Sequence, residues 1–124
     1  MVGVYDKARR AQESRYRDTC TVSEYRDVAD EKSKITRKEE VVVLESLACR
    51  LSFESLSAAV QTDTGAAAAQ SVKLFVAPEA KIRAGCKISV TMSGGETGEY
   101  ALSGIPAVYP THQEILLEPF RGWA

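Results

Sequence analysis

Two stretches of strict alternation constrain the fold of this chain more than any other feature. In LACRLSF, Leu47, Cys49, Leu51 and Phe53 fall on one face of an extended strand, and in CKISVTM the same holds for Cys86, Ile88, Val90 and Met92. A period of two is typical of a half-buried β-strand, whereas a helix would scatter these apolar side chains around its circumference. The chain is therefore predicted to fold around β-strands with one buried face.

Further strand patterns follow at short spacing, separated by turn residues. They are TCTVSEYRDV, SVKLFVAP, YALSG and HQEILLEPF, and the charged stretch ADEKSKITRKEE between the first two strands is predicted to be the tip of a long hairpin. Gly85 is expected to supply a positive φ in the turn before the cleanest alternation. Short, evenly spaced strands without a long helix indicate an all-β fold, a small six- to seven-stranded β-barrel with long loops.

The domain organisation follows from where the alternation begins. Residues 1–17 are charged, contain helix formers and have only a thin apolar stripe, so they are predicted to be an N-terminal arm or short helix. Residues 18–124 are predicted to be the barrel domain. Its core is expected to contain eight apolar residues: Leu51, Phe53, Leu74, Val76, Ile88, Val90, Ile115 and Leu117.

Composition argues against several classes of function. A net charge of −1 lacks the basic excess of proteins that grip phosphate by themselves. Three widely spaced cysteines without a CxxC pair indicate reduced, buried thiols. The charged start of the chain does not fit a secretory signal, and no apolar run approaches the length of a membrane span. The protein is thus expected to be soluble, to be made in the cytoplasm and to have no membrane partner.

No residue pattern predicts catalysis, a metal site or a cofactor. His112 is the only histidine and has no cysteine or aspartate at metal-ligand spacing, so it is expected to be a turn or surface residue. The glycine-rich SGGETG is not followed by a helix, whose N-terminus a phosphate-binding loop would need. The chain is expected not to be an enzyme.

Two other segments are candidates for function. SAAVQTDTGAAAAQ is predicted to be a long loop, and loops of this length in small domains are often functional. Aromatic residues are concentrated near the C-terminus, where tryptophan and tyrosine typically anchor protein interfaces. The candidate interface comprises Tyr109, Phe120, Arg121 and Trp123.

The stretches RDTCTVSEYRDV, FVAPEAKIRAGCKISV and AVYPTHQEILLE together resemble the head-closure proteins of tailed phages, in particular those of PBSX-like prophages. The resemblance begins near Arg17 and continues to the C-terminus. It implies a small β-barrel in the virion neck, forming a homo-oligomeric ring of about six or about twelve copies. Such a ring lies below portal or adaptor proteins, closes the DNA channel and docks tail-terminator or tail-tube proteins. Double-stranded DNA would pass through without specific binding.

The resemblance also implies a role for the long loop. By its position between barrel strands, it corresponds to the family's channel-closing loop, with candidate residues Ser57, Ala58, Asp63, Gly65, Ala66 and Gln70. Two alternative interpretations remain open. One is a tail-completion or tail-terminator ring protein of the same assembly. The other is a small barrel that binds oligonucleotides, although the C-terminal aromatic residues are flanked by Glu114 and Glu118 instead of basic residues.

Overall fold

The structure is a computed structural model, and it describes residues 3–55 and 70–123. Within these described residues, one helix, α1 (Asp6–Glu13), precedes seven strands. The strands are β1 (Asp18–Ala29), β2 (Thr36–Ser55), β3 (Gln70–Val76), β4 (Lys87–Thr91), β5 (Thr97–Leu102), β6 (Ala107–Val108) and β7 (Gln113–Pro119). The all-β prediction and the short N-terminal helix are confirmed.

Six of the strands close into an antiparallel barrel. The order β3-β2-β1-β4-β5-β7 returns to its start because β7 also pairs with β3, from Val72↔Leu117 to Val76↔Gln113. The two-residue strand β6 pairs with the beginning of β7 beyond the end of β5. Closure removes the free edges that an open sheet of this size would expose.

The core fills the barrel interior with the residues that the alternation places inward. Leu74, Val76, Ile88, Val90 and Ile115 are at most 1% exposed. Among the described residues, the other buried apolar side chains are Cys20, Val22, Cys49, Ile82, Cys86 and Leu117. Gly85 adopts the expected positive φ, at 88°, in the turn before β4. The predicted strand phase of β3, β4 and β7 is therefore confirmed.

Phe53 was predicted to lie in the core, and this prediction is wrong. Its side chain is 44% exposed, and Leu51 is only partly buried. β1 begins at Asp18, opposite Cys49, so the last residues of β2 have β3 on one side and no β1 neighbour on the other. The inward face of β2 there has no opposite wall to bury Phe53.

The three thiols are buried, as expected from their apolar sequence surroundings. Cys49 donates a hydrogen bond to Cys20, which together with burial raises the pKa of Cys49 and which lowers the pKa of Cys20. Burial raises the pKa of Cys86. We therefore expect all three cysteines to react with a disulfide reagent only when the barrel unfolds, because their buried sulfur atoms are inaccessible to the reagent in the folded protein. Rapid reaction of one cysteine under native conditions, followed by absorbance against a denatured sample, would contradict the assigned strand phase.

β1 and β2 continue beyond the barrel as a two-stranded ribbon. Residues Glu24–Ala29 pair with Thr36–Val41, while β4 contacts β1 only as far as Ser23. Six residues in each strand give this β1–β2 extension a length of about 20 Å. Two register shifts in β2 and a left-handed Ser46, at φ 50°, bend the strand where it leaves the barrel.

The tip of the β1–β2 extension is a compact turn from Asp30 to Ile35. The Asp30 carboxylate accepts hydrogen bonds from the Lys32 backbone N–H and the Ser33 hydroxyl, and these bonds lower its pKa. Lys34 takes a positive φ of 58°, and the Asp30 N–H donates to the Ile35 carbonyl. The predicted long hairpin is thus present, and its strands extend well into the charged stretch.

Candidate functional site

The C-terminal segment folds back onto the base of the β1–β2 extension. The Trp123 ring stacks on Tyr25 of β1, with centroids 5.1 Å apart and planes 12° apart. Phe120 meets Trp123 edge-on at 5.0 Å, and its backbone N–H donates to the Glu99 carbonyl. Gly122, at φ 104°, supplies the left-handed backbone between the two rings. We call Tyr25, Lys87, Phe120 and Trp123 the C-terminal clasp.

Lys87 joins the C-terminal clasp to both the barrel and the β1–β2 extension. Its Nζ lies 2.6 Å from Glu40 Oε1, 3.7 Å from Glu99 Oε2 and 5.6 Å from the centre of the Phe120 ring. The hydrogen bond to Glu40 raises the pKa of Lys87. Glu40 pairs with Tyr25 across the two strands. The Lys87 ammonium, through Glu40, and the Trp123 ring, through Tyr25, therefore contact the extension at the same cross-strand pair.

A second aromatic cluster lies at the other end of β7. His112 stacks on Tyr109 at 5.0 Å and lies 5.9 Å from Phe75. Its Nε2 is 2.8 Å from Glu114 Oε2, and its Nδ1 is 2.8 Å from the Thr111 hydroxyl. A carboxylate only accepts, so Nε2 carries a proton, and in the neutral ring Nδ1 accepts from Thr111. These five residues form the His112 cluster.

The His112 cluster holds an imidazole in one orientation. The Thr111 hydroxyl, the His112 imidazole and the Glu114 carboxylate are linked in the same order as the three groups of a hydrolase triad, in which the carboxylate orients the ring. Here Lys73 Nζ, 3.1 Å from Glu114 Oε1, also binds that carboxylate. The bond to His112, with help from Lys73, lowers the pKa of Glu114. The arrangement fixes the Tyr109 ring on the surface, where it remains 46% exposed.

The structure divides the predicted interface residues between these two places. Phe120 and Trp123 belong to the C-terminal clasp, and the exposed Arg121 lies between them beside a cavity of about 200 Å³. Tyr109 belongs to the His112 cluster. An extended strand separates Tyr109's partner His112 from Phe120 by roughly 25 Å.

Tyr25, Lys87 and Phe75 were not among the predicted site residues. Their partners lie far away in the sequence, so alternation could assign them to outward faces but could not show which rings meet. Of the candidate loop residues, Gln70 is the first residue of β3 and pairs with Ser55, so it belongs to a strand and not to the loop. Ser57, Ala58, Asp63, Gly65 and Ala66 lie outside the described residues.

The stack between Tyr25 and Trp123 can be measured by a double-mutant cycle. We expect Tyr25→Ala and Trp123→Ala to show a coupling of about 0.5–1.5 kcal/mol in the free energy of unfolding, as aromatic pairs do. Denaturant titration of the wild type, both single variants and the double variant gives this value. A Tyr109→Ala and Trp123→Ala cycle is the control and should be additive; strictly additive effects of Tyr25 and Trp123 would contradict the stack.

The Glu114 contacts predict a dependence of stability on pH. Because the pKa of Glu114 is lowered in the folded protein, its contribution is present above the ordinary carboxyl value of 4.5 and is lost as the pH falls through the folded pKa. Wild type should exceed Glu114→Gln by about 0.5–1.5 kcal/mol at pH 6, and the gap should close in acid. Glu118→Gln, an exposed control on the same strand, should show no such closing. A pH-independent gap for Glu114→Gln would contradict the assignment.

In residues 3–55 and 70–123, no group of three or more histidine, cysteine, aspartate or glutamate side chains could hold a metal ion. No helix in the same part of the chain is long and apolar enough to cross a bilayer.

No protein-family model matches the chain, and no curated protein is detectably similar to it in sequence. Among solved structures, the phage-like element PBSX protein xkdH from Bacillus subtilis is similar over 82% of this chain and 93% of that chain. The sequence identity is 13% and the TM-score is 0.49.

Proposed function

We propose that this chain is a virion structural protein of a tailed phage. In this proposal it forms a ring below the portal or adaptor proteins, closes the DNA channel of the head and docks the tail. The observation that carries the proposal is the β1–β2 extension. It projects from a barrel that is already closed, so the barrel itself does not need the extension for strand pairing. The sequence resemblance to head-closure proteins supplies the place in the particle.

The β1–β2 extension has the properties of a segment that neighbouring subunits cover. Neither of its strands has a second strand neighbour among the described residues, so each presents unpaired backbone groups. Its apolar side chains include Ile35, 53% exposed, and the adjoining Val42 is 50% exposed. Unpaired edges and exposed apolar side chains favour contact with another chain. In a ring, each extension would lie against the next subunit.

Two separate aromatic patches suit a protein held between two partners. The C-terminal clasp and the His112 cluster are at opposite ends of β7, so one surface can face the portal or adaptor while the other faces the tail. The clasp is held by intramolecular stacking, which presents Phe120 and Trp123 in a fixed geometry and reduces the entropy lost on docking.

The channel-closing role is proposed for Ser57, Ala58, Asp63, Gly65 and Ala66. Their support is the sequence: these side chains are small and only Asp63 is charged, so copies from several subunits could crowd around a narrow axis. A nearly neutral lining would neither hold nor strongly repel passing DNA.

The decisive experiment uses particles from the organism that encodes the chain. Mass spectrometry of purified tailless heads, free tails and complete particles should find the protein in heads and complete particles, and gold-labelled antibody should mark the neck. A protein found only on free tails would instead be a tail-terminator or tail-completion ring protein. Its absence from all particles would refute a virion role.

A further inference from the structure

The positive charge of this chain is concentrated at its beginning. The first 17 residues contain five basic residues, Lys7, Arg9, Arg10, Arg15 and Arg17, against the acidic Asp6 and Glu13. That segment therefore has a charge of +3, and residues 18–124 have a charge of −4, which together give the −1 of the whole chain. A near-neutral total hides a strongly asymmetric distribution, and such asymmetry is typical of contact with a polyanion.

The fold gathers part of this charge into one concave site. Ser14, Arg15 and Arg17, on the segment between α1 and β1, line a cavity of about 460 Å³ together with Arg50 of β2. Arg50 follows Cys49, which pairs with Asp18 at the start of β1, and this pairing brings the three arginines to the same place. We call this the arginine pocket.

The three guanidinium groups have no carboxylate partner among residues 3–55 and 70–123. The ion pairs in those residues use Arg9, Arg26, Lys73, Lys87 and His112. The acid closest in sequence, Asp18, accepts hydrogen bonds from the backbone N–H groups of Leu51, at 2.9 Å, and Ser93, at 3.0 Å. Both oxygens of this carboxylate thus bind backbone groups, and within the described residues Asp18 forms no ion pair with Arg15, Arg17 or Arg50.

The Arg50 side chain is restrained by an aromatic contact. Its guanidinium lies 5.7 Å above the centre of the Phe75 ring, a contact that restricts a long side chain without neutralising it. A guanidinium also presents a planar fork of donors that matches phosphate oxygens. A single carboxylate would neutralise only one of the three charges, whereas a chain of phosphates can neutralise all of them and continue along the basic segment.

We propose that the arginine pocket binds the phosphate groups of a nucleic-acid backbone, independently of base sequence. The proposal rests on the charges of the pocket and not on ring assembly. A protein that binds DNA through this pocket but is absent from particles would fail the proposed function and leave this inference standing. A protein that is found in the neck but has no affinity for DNA would refute this inference and leave the proposed function standing.

The test measures the affinity of the full chain for fluorescently labelled DNA at several salt concentrations. The probes are a 20-base-pair duplex, a second duplex of different sequence, one single strand of the first duplex and a polyglutamate peptide. If the pocket contacts three phosphates, these contacts alone should make the association constant fall about 40-fold between 50 and 200 mM salt. Both duplexes should bind equally, and the comparison with the single strand shows which form of the backbone fits better.

The variant Arg15→Gln, Arg17→Gln, Arg50→Gln should reduce the slope of log affinity against log salt by about 2–3. Lys32→Gln, Lys34→Gln, Arg37→Gln is the matched control, since it removes three positive charges at the tip of the β1–β2 extension and should leave the slope unchanged. The double variant Arg15→Gln, Arg17→Gln keeps the Arg50–Phe75 contact and should lose about two-thirds of the same slope change. Equal losses in pocket variant and control, tighter binding of polyglutamate than of DNA, or no DNA binding by the wild type would each overturn the proposal.

Discussion

Replacing Leu74 with alanine is expected to lower the free energy of unfolding by about 2–5 kcal/mol, the range for a fully buried leucine truncated in a packed core. Leu74 is 0% exposed and lies at the centre of β3. It pairs with Leu51 of β2 on one side and with Ile115 of β7 on the other. The cavity would therefore open at the seam where the barrel closes.

Leu116→Ala is the matched control for this prediction. Leu116 is on the adjacent strand, pairs with Lys73 and is 48% exposed, so the same truncation should cost less than about 1 kcal/mol. Urea titration followed by tryptophan fluorescence measures both variants. Similar losses of stability for Leu74→Ala and Leu116→Ala would contradict the barrel, in which Leu74 faces the core and Leu116 faces solvent.

Removing the outer part of the β1–β2 extension is expected to abolish incorporation into particles while leaving the barrel folded. The change deletes residues 27–38 and joins Arg26 to Glu39 through an Asn-Gly turn, which suits a two-residue hairpin. It keeps Tyr25 and Glu40, so the C-terminal clasp retains its partners. Because the deleted strand residues pair only with one another, the thermal unfolding midpoint should change by only a few degrees.

Complementation of a strain that lacks the gene measures the effect as the yield of tailed particles. A charge-neutral control keeps the full extension but exchanges Asp27 with Lys38, a cross-strand pair, and should support normal assembly. Normal particle yield from the shortened chain would remove the extension from the proposed function. A shortened chain that fails to fold would show that the extension stabilises the barrel itself.

The sequence allowed the buried face of most strands to be predicted, because alternation reports which side chains share a face. It could not show where a face loses its opposite wall, and so Phe53 was placed in the core. Phe53 is exposed because β1 begins at Asp18 and does not flank the end of β2. The alternation within β2 carries no information about where β1 begins. β6 was also missed, because two residues are too few to show a period.

The candidate sites were less predictable than the fold for a similar reason. Trp123 was identified as an anchor from its residue type, but its stacking partner Tyr25 lies in the first strand, nearly the whole chain away. The arginine pocket combines Arg15 and Arg17 with Arg50, which only the pairing of β1 with β2 brings together. Net charge, being a sum over the chain, concealed this local concentration.

The double role of β7 also determines when the barrel can form during protein synthesis. β7 supplies partners to both β3 and β5, so the ring of strands stays open until residues 113–119 have been made. At about 5–20 residues per second, the ribosome needs about 2–9 s to translate from the end of β3 to the end of β7. During that interval β3 has an unpaired edge on the nascent chain, and β5 has one as soon as it has been made. Neighbouring ribosomes on one messenger could then bring such edges together, so translation speed should influence how much of the protein aggregates before it folds.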